Sequence, residues 1–292
     1  MIRIGILGTD NTHADTFAAH FNLKTGKEGA AGGRVVAVFG LDEARTLQVA
    51  ERGKIPTIVK RPEHMIGLID AAIVDFRHGS RHLRYARPMI QAGIPTFIDK
   101  PFAVSTADAR AMVALARKHK VAITSFSTLR FGAGLDAFKK AVQAIGRVKA
   151  LVMTGPGNAR DPHDGFFFYA IHQVELMLEV FGNDVESARG VDNDGTLVAS
   201  VRYRNGMIAT IHETNAIHTP FTAQAFGERA VAPYDSTSCP DSSLVATRTL
   251  VRMFKTGAMP LTLDELTVST RVLVAIQQSI RRGGAAVAIA RR

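Results

Sequence analysis

The stretch Ile2-Arg3-Ile4-Gly5-Ile6-Leu7-Gly8 opens the chain and decides how its first half is interpreted. Its short apolar run predicts a buried strand, and Gly8 directly after it can make the tight turn of a dinucleotide-binding loop. Four more short apolar runs follow, and the segments between them have apolar residues at helical spacing. Because strands that alternate with helices are joined by right-handed crossovers, this pattern predicts a doubly wound parallel sheet. The predicted strands are Ile2–Leu7, Val35–Phe39, Ala71–Val74, Thr96–Ile98 and Ala122–Ser125, and the predicted helices are Ala14–Phe21, Glu43–Arg52, Arg81–Ala92 and Thr106–His119.

In the second half of the chain the predicted strands no longer alternate regularly with helices. Two of its strand-like runs are joined by Arg204-Asn205-Gly206, where the Asn-Gly pair predicts a tight hairpin with positive φ angles. Hairpins with helices gathered elsewhere favour a C-terminal α/β domain with an open, mostly antiparallel sheet. We therefore expect two domains, residues 1–124 and 125–292. The predicted strands here are Arg147–Met153, Leu197–Tyr203, Met207–Glu213 and Phe221–Phe226, and the predicted helices are Leu135–Ile145, Phe167–Phe181, Leu244–Phe254 and Leu263–Arg281.

Composition excludes several classes of protein. The 292 residues are 46% hydrophobic and 21% charged, as in ordinary globular proteins, and no apolar run approaches the length of a spanning helix. The net charge is +10, but the basic residues are scattered and no cluster of them is interleaved with aromatic residues. We therefore expect steering of an anionic cofactor or substrate rather than binding to nucleic acid or a membrane. Cys239 is the only cysteine, which favours a reducing compartment, and we expect the cytoplasm.

The loop after the first strand departs from the usual three-glycine pattern. Gly8 takes the first glycine position, whereas Asp10 and His13 take the second and third. Asp10 would place a carboxylate where phosphates arrive, and the alternative interpretation is that Asp10, Asn11 or Thr12 caps the following helix. At the end of the second strand Gly40 stands where an acidic residue would hold the ribose hydroxyls, so NADP is as plausible as NAD.

A second cluster follows an apolar strand and has the sequence Phe97-Ile98-Asp99-Lys100-Pro101-Phe102. It therefore lies at the carboxyl edge of the sheet, where open α/β sheets bind ligands. Burial there would disfavour the charged form of Lys100, which suits proton transfer, whereas Asp99 would favour the charged form. The alternative is an ordinary exposed lysine before a turn proline.

Asp99-Lys100-Pro101, placed after the alternating units, resembles the Glu-Lys-Pro motif of the Gfo/Idh/MocA family of oxidoreductases. Further stretches agree in order and spacing over nearly the whole chain, and the resemblance implies a Rossmann-type N-terminal domain. The agreeing stretches are Val74–His82, Arg130-Phe131, Tyr169–Glu175 and Leu261–Gly283.

The resemblance implies hydride transfer between NAD or NADP and a sugar, a polyol or a related hydroxy compound. In the family a lysine and an Asp-x-x-x-His pair handle the hydroxyl proton; Lys100 and His172 match two of these places, whereas Phe168 stands in the place of the aspartate. Glu175 lies on the same helical face as His172 and could orient it instead. Asp164 and His163, just before the helix, are the other candidates for this role. The implied cofactor-binding residues are Gly8, Asp10, Thr12, His13, Gly40, Arg77, His78, Asp99 and Lys100, and the implied substrate-binding residues are His82, Arg130, His163, Asp164 and Tyr169.

The remaining histidines do not predict a metal site. His212 and His218 are six residues apart along a probable strand, so ~20 Å separates them in an extended chain. His78 and His82 have helical spacing but belong to a loop that enters a helix, and no thiolate cluster exists. We expect no metal ion.

Two other activities stay open. The departures at Asp10, Gly40 and Phe168 are compatible with a non-redox ligand-binding or regulatory protein that keeps the fold, and transient oxidation could serve glycoside cleavage or epimerisation. The family's second domain commonly packs against a copy of itself, so the resemblance also implies a homo-oligomer, either a dimer or a tetramer.

Overall fold

The computed structural model describes residues 1–215 and 220–291, so His218 lies outside the described residues. The chain divides into two units. The first contains Met1–Ala103, Ala107–Phe126 and Ser243–Leu266, and the second contains Val104–Thr106, Ser127–Ser242 and Thr267–Arg292. No helix among the described residues is both long and apolar enough to cross a membrane.

The first unit is built on a six-stranded sheet in which every strand pair is parallel. The strand order β3-β2-β1-β4-β5-β6 is that of a doubly wound sheet, as predicted. β1, β4 and β5 are neighbours, so the residues that follow them share one edge of the sheet. The strands are β1 Ile2–Leu7, β2 Gly33–Phe39, β3 Thr57–Ile58, β4 Ala71–Val74, β5 Thr96–Ile98 and β6 Ile123–Thr124.

Helices join these strands, as the spacing of apolar residues predicts. Asp42 caps the start of α2, because its side chain accepts a hydrogen bond from the Arg45 amide, and the apolar residues Val49 and Ala50 of this helix are buried. α1 is short and continues into a π-helical turn at Ala19–Leu23. The helices are α1 His13–Ala18, α2 Glu43–Arg52, α3 His82–Gln91 and α4 Thr106–His119.

The first unit also contains a helix that the sequence analysis assigned to the second domain. α7, Ser242–Thr256, lies almost wholly within Ser243–Leu266. Its Thr247 hydroxyl is 2.9 Å from Nδ1 of His20, and Arg248 donates a hydrogen bond to the Gly29 carbonyl. The pattern of strands and helices along the sequence cannot show that a late helix belongs to the first unit. Such a helix packs where its apolar face finds a partner.

The second unit is a seven-stranded sheet in the order β12-β11-β7-β10-β9-β8-β13. Among the strands that the structure describes here, only β10 and β7 pair in parallel, which confirms the mostly antiparallel sheet. The core lies between one face of this sheet and three helices. The strands are β7 Val148–Pro156, β8 Val185–Asn193, β9 Thr196–Tyr203, β10 Ile208–Thr214, β11 Thr222–Gly227, β12 Val231–Asp235 and β13 Val287–Ala288, and the helices are α5 Ala133–Ala144, α6 Phe167–Phe181 and α8 Leu266–Arg281.

Two hairpin turns organise the centre of this sheet. The turn between β9 and β10 was predicted, but only Gly206 takes a positive φ, +89°, and Asn205 does not. The reason is that this turn is one residue longer than a two-residue hairpin, with Tyr203 facing Met207. The turn between β8 and β9 was missed, although Asp194-Gly195 carries the expected signal and both residues have positive φ, 50° and 87°.

Candidate active site

Gly8 ends β1 in a conformation that needs glycine. Its φ is +113°, and a Cβ atom there would lie 2.5 Å from the Asp75 carbonyl oxygen. The backbone after β1 therefore passes directly against the backbone after β4. This is the tight first turn that the sequence predicts.

In the loop after Gly8 the Asn11 side chain accepts a long hydrogen bond, 3.4 Å, from the His13 amide at the start of α1. Thr12 is the N-cap residue of α1 but makes no capping hydrogen bond with its side chain. Asp10 accepts a long hydrogen bond, 3.4 Å, from the Arg77 amide and lies 3.6 Å from Nη1 of Arg81. The Asp10 charge is thus offset by an arginine, and His13 pairs with a different carboxylate.

That carboxylate is Asp99, the centre of a cluster at the sheet edge. Asn11 donates from one amide nitrogen to Oδ1 of Asp75, at 2.9 Å, and to Oδ2 of Asp99, at 3.0 Å. Nδ1 of His13 is 3.0 Å from the same Asp99 oxygen. Asn11 and Asp75 were not singled out from the sequence, although both follow neighbouring strands at the carboxyl edge, and that position is a signal.

The two buried carboxylates have opposite protonation tendencies. Burial alone would raise the pKa of Asp99, but His13 and Lys100 outweigh it and lower that pKa to about 2. Burial, the Asp99 charge and the Asp10 charge all raise the pKa of Asp75 well above its ordinary value. Asp99 is therefore the ionised member of the pair, and Asp75 is the member that holds a proton most strongly.

His13, Asp75 and Asp99 each offer one atom that could bind a metal ion, and these three atoms lie within 4.8 Å of one another. Sequence spacing did not reveal this group, because its members come from three separate loops. The hydrogen bonds from Asn11 and His13 account for its geometry without an ion.

Gly40 has no room for a side chain. A Cβ atom there would lie 2.1 Å from the hydroxyl oxygens of both Thr9 and Thr46, which are 3.0 Å from each other. The place that would hold an acidic ribose ligand is therefore closed by two threonines.

Lys100 follows β5 at the same sheet edge, and it is 4% exposed. The interpretation as an ordinary exposed lysine is therefore wrong. His82 is fully buried, with Nδ1 2.8 Å from the carbonyl of Pro101, the residue after Lys100, and Nε2 2.9 Å from the Phe76 carbonyl. His82, predicted to bind substrate, instead ties two loops together, and burial lowers its pKa. Arg77 and His78 lie half-buried in the loop after β4.

In the second unit His172 is held by a serine that the sequence analysis missed. Nδ1 of His172 is 2.7 Å from Oγ of Ser127, a residue 45 positions earlier and completely buried. No local sequence signal connects two residues so far apart.

Glu175 has a different partner from the one expected. Its carboxylate contacts Nε of Arg130, and Nη1 of Arg130 donates to Glu179 at 2.6 Å. Burial would lower the pKa of Arg130, but Glu175 and Glu179 raise it. The proposed orientation of His172 by Glu175 is therefore wrong, because the buried guanidinium takes that carboxylate; Arg130, expected to bind substrate, is bound within the protein.

Aromatic residues surround the start of α6. The His163 and Phe168 rings are 5.5 Å apart, and Phe168 meets Tyr169 edge to face at 4.9 Å. Nδ1 of His163 lies 2.8 Å from Asp161, and Asp164 has a positive φ of 68°. Phe168 is buried, as expected of a pocket wall or core residue.

A buried carboxyl on β10 was also missed. Glu213 is 0% exposed, and neither of its oxygens has a hydrogen-bond partner among the described residues. Burial, and after it the Asp161 charge, raise the pKa of Glu213 well above its ordinary value. Oε1 of Gln173, on the helix that covers this sheet, is likewise buried without a partner in the described part of the chain.

The first unit fits a dinucleotide in part. The strand order, the Gly8 turn and the offset Asp10 charge suit a pyrophosphate at this edge. The closed position at Gly40 does not suit the usual carboxylate contact to a ribose. The residues available to hold the nucleotide are therefore those of the Gly8 loop and the sheet edge.

Comparison with known proteins finds similarity to oxidoreductases. Residues 2–126 match the family model GFO_IDH_MocA, described as an oxidoreductase family with an NAD-binding Rossmann fold. Inositol 2-dehydrogenase 1 of Saccharopolyspora erythraea is 36% identical over 199 residues, which cover 63% of this chain and 56% of that protein. The uncharacterized oxidoreductase YhhX of Escherichia coli is 26% identical over 151 residues, covering 45% of this chain and 43% of that protein. The matches thus span about half the length of these relatives.

The whole fold has counterparts among solved structures. The crystal structure of myo-inositol 2-dehydrogenase from Lactobacillus plantarum covers 99% of both chains with a TM-score of 0.86 at 18% identity. At that identity the likeness concerns the fold. Residues 2–126 thus match the model of an oxidoreductase family with an NAD-binding Rossmann fold, and the whole chain shares its fold with a solved dehydrogenase structure.

Proposed function

We propose that the protein is an NAD(P)-dependent oxidoreductase that transfers hydride to or from a CH–OH carbon of a sugar, a polyol or a related hydroxy compound. The observation that carries the proposal is Lys100, buried beside Asp99 at the carboxyl edge of the parallel sheet. A lysine is rarely buried unless it is paired or has a task, and this edge is where such sheets bind ligands. The relatives named as inositol dehydrogenases supply the substrate class.

The nucleotide, when bound, supplies the hydride donor or acceptor. Gly8 allows close approach of the backbone, and Asp10, Thr12 and His13 line the same turn. Lys100 anchors the substrate hydroxyl or carries its proton, and the ionised Asp99 keeps a negative charge next to the lysine. His172 belongs to the second unit, and the family resemblance gives it a role in handling the hydroxyl proton.

A thermal-shift titration with NAD⁺, NADH, NADP⁺ and NADPH tests cofactor binding. A ligand that binds only the folded state stabilises it by about 2.7 kcal/mol at ~100 times its Kd. We expect one nucleotide pair to raise the midpoint, which also decides between NAD and NADP. No shift with any of the four, on protein free of bound cofactor, would contradict the proposal and favour a non-redox ligand-binding role.

Substitution of Lys100 then tests its role. Lys100→Met should abolish turnover of polyols while nucleotide affinity changes only a few fold. Lys118→Met, at an exposed position of α4, is the matched control and should leave both unchanged. Turnover that survives in Lys100→Met would remove the lysine from the mechanism.

We also propose a homo-oligomer formed through the uncovered face of the second unit's sheet. A row of apolar side chains crosses four strands there: Val231 pairs with Phe226, Phe226 with Ala150, and Ala150 with Ile208. Three of these, Val231, Phe226 and Ile208, are between 37% and 50% exposed. Such a patch suits contact with a second copy.

We propose the cytoplasm as the compartment, because the single cysteine of the chain is free and buried, which favours a reducing environment.

A further inference from the structure

The Ser127 hydroxyl has two hydrogen-bonding neighbours among the described residues. Its Oγ accepts a hydrogen bond from the Leu129 amide at 3.1 Å and lies 2.7 Å from Nδ1 of His172. The side chain is 0% exposed, and the described residues offer its hydroxyl no other partner. The position of the hydroxyl proton therefore depends on these two neighbours alone.

This count decides which nitrogen of His172 carries the proton. The Leu129 amide is a donor, so within the described part of the chain the only acceptor for the Ser127 hydroxyl is Nδ1 of His172. If Nδ1 were protonated, the serine hydroxyl would be a buried donor without an acceptor, which is costly. With Nδ1 bare, the Ser127 hydroxyl has both a donor and an acceptor, and the neutral ring carries its proton on Nε2.

We propose that Ser127 is a positioning residue that holds His172 as the neutral Nε2–H tautomer. The ring then presents a hydrogen-bond donor to the substrate oxygen and does not act as the base that removes the hydroxyl proton. A neutral imidazole used in this way polarises a carbonyl. A carboxylate on Nδ1 would impose the opposite tautomer, because it can only accept a hydrogen bond.

Phe168 supports this assignment. It occupies the position one turn before His172, is buried, and contacts aromatic rings, so it brings no acceptor to the imidazole. Glu175 is also unavailable, because Arg130 takes its carboxylate. The tautomer follows from the hydrogen bonds alone, whereas the role toward substrate rests on the proposed function.

The test is ¹⁵N NMR of the full chain with labelled histidine, recorded without ligands. The chemical shifts of the two ring nitrogens identify the tautomer, and the His172→Gln variant identifies which signals belong to His172. We expect a bare Nδ1 and a protonated Nε2 above the pH at which the ring is charged. A protonated Nδ1, or an equal mixture of the two forms, in the wild-type protein would overturn the proposal.

Two variants separate positioning from folding. Ser127→Ala removes the donor, so we expect a mixture of tautomers and a fall in kcat of roughly tenfold or more, with KM within a few fold, since loss of an oriented donor acts on the transition state. Ser125→Ala, a buried serine two residues earlier, should leave the His172 signals unchanged. A Ser127→Ala protein with the wild-type tautomer and wild-type kcat would overturn the positioning role, and the wild-type spectrum decides alone if that variant does not fold. A wild-type Nε2–H signal together with no nucleotide binding would refute the proposed function and leave the tautomer assignment standing.

Discussion

The guanidinium of Arg130 contacts the carboxylate of Glu175, and both side chains are more than 90% buried. Removing one partner of such a pair leaves an uncompensated charge in the core, at a cost of about 3–5 kcal/mol. We therefore expect Glu175→Ala to lower the free energy of unfolding by that amount in urea denaturation.

The neighbouring carboxylate is the control for this prediction. Glu179 also binds Arg130 but is 25% exposed, so Glu179→Ala should cost clearly less. A Glu175→Ala protein of wild-type stability that has lost turnover would show instead that Glu175 belongs to the catalytic machinery.

The carboxyl of Glu213 should make stability depend on pH. Its pKa is raised in the folded state, so the folded protein binds this proton more strongly than the unfolded chain does. The contribution is fully present below the unfolded pKa of about 4.3 and is lost as pH rises toward the folded value. The glutamine of Glu213→Gln cannot lose a proton. The free energy of unfolding of this variant should therefore exceed that of the wild type increasingly above that pH, by about 1–3 kcal/mol at neutral pH.

Urea denaturation at several pH values checks this expectation. Glu228→Gln, on an exposed residue paired with Lys149, should stay within about 0.5 kcal/mol of wild type throughout. If Glu213→Gln were less stable than wild type at neutral pH, the carboxylate would have to be charged and paired.

Any side chain at position 40 should destabilise the folded protein. Gly40→Ala pushes a methyl group against the hydroxyls of Thr9 and Thr46, and overpacking of this kind costs about 1–3 kcal/mol. For the same reason Gly40→Asp should fail to strengthen NAD binding, although it restores the usual acidic residue.

Thermal unfolding and nucleotide titration measure both effects. Leu41→Asp places a carboxylate on the next residue, which is exposed, and should change stability little. Normal stability of Gly40→Ala would mean that the two threonines rearrange freely.

The apolar row across the second unit's sheet should govern assembly. Ile208→Glu and Phe226→Glu each place a charge in that row, and we expect each to lower the mass seen by sedimentation at micromolar concentration. Leu47→Glu, at a similarly exposed position on α2, is the control and should sediment like wild type. A wild-type protein that is already a monomer would contradict the homo-oligomer.

Much of the architecture could be predicted because the residues within each segment indicate its secondary structure. Strands β4 and β5 were predicted with their observed bounds, because each is a short apolar run with both faces buried. Gly8 was predicted as a turn residue and has the positive φ that the turn requires. The short strands β3 and β13 were not predicted, because two residues are too few to show a period.

The sequence by itself thus determined the parallel sheet, the antiparallel sheet and the placement of Lys100 at a sheet edge. The tertiary structure decided the partners: Ser127 for His172, Arg130 for Glu175, and Asn11 between Asp75 and Asp99. The periodicity of a segment records which of its own faces is buried, and that is a local property. Which donor meets which acceptor depends on how segments tens of residues apart pack together, and no local pattern records that.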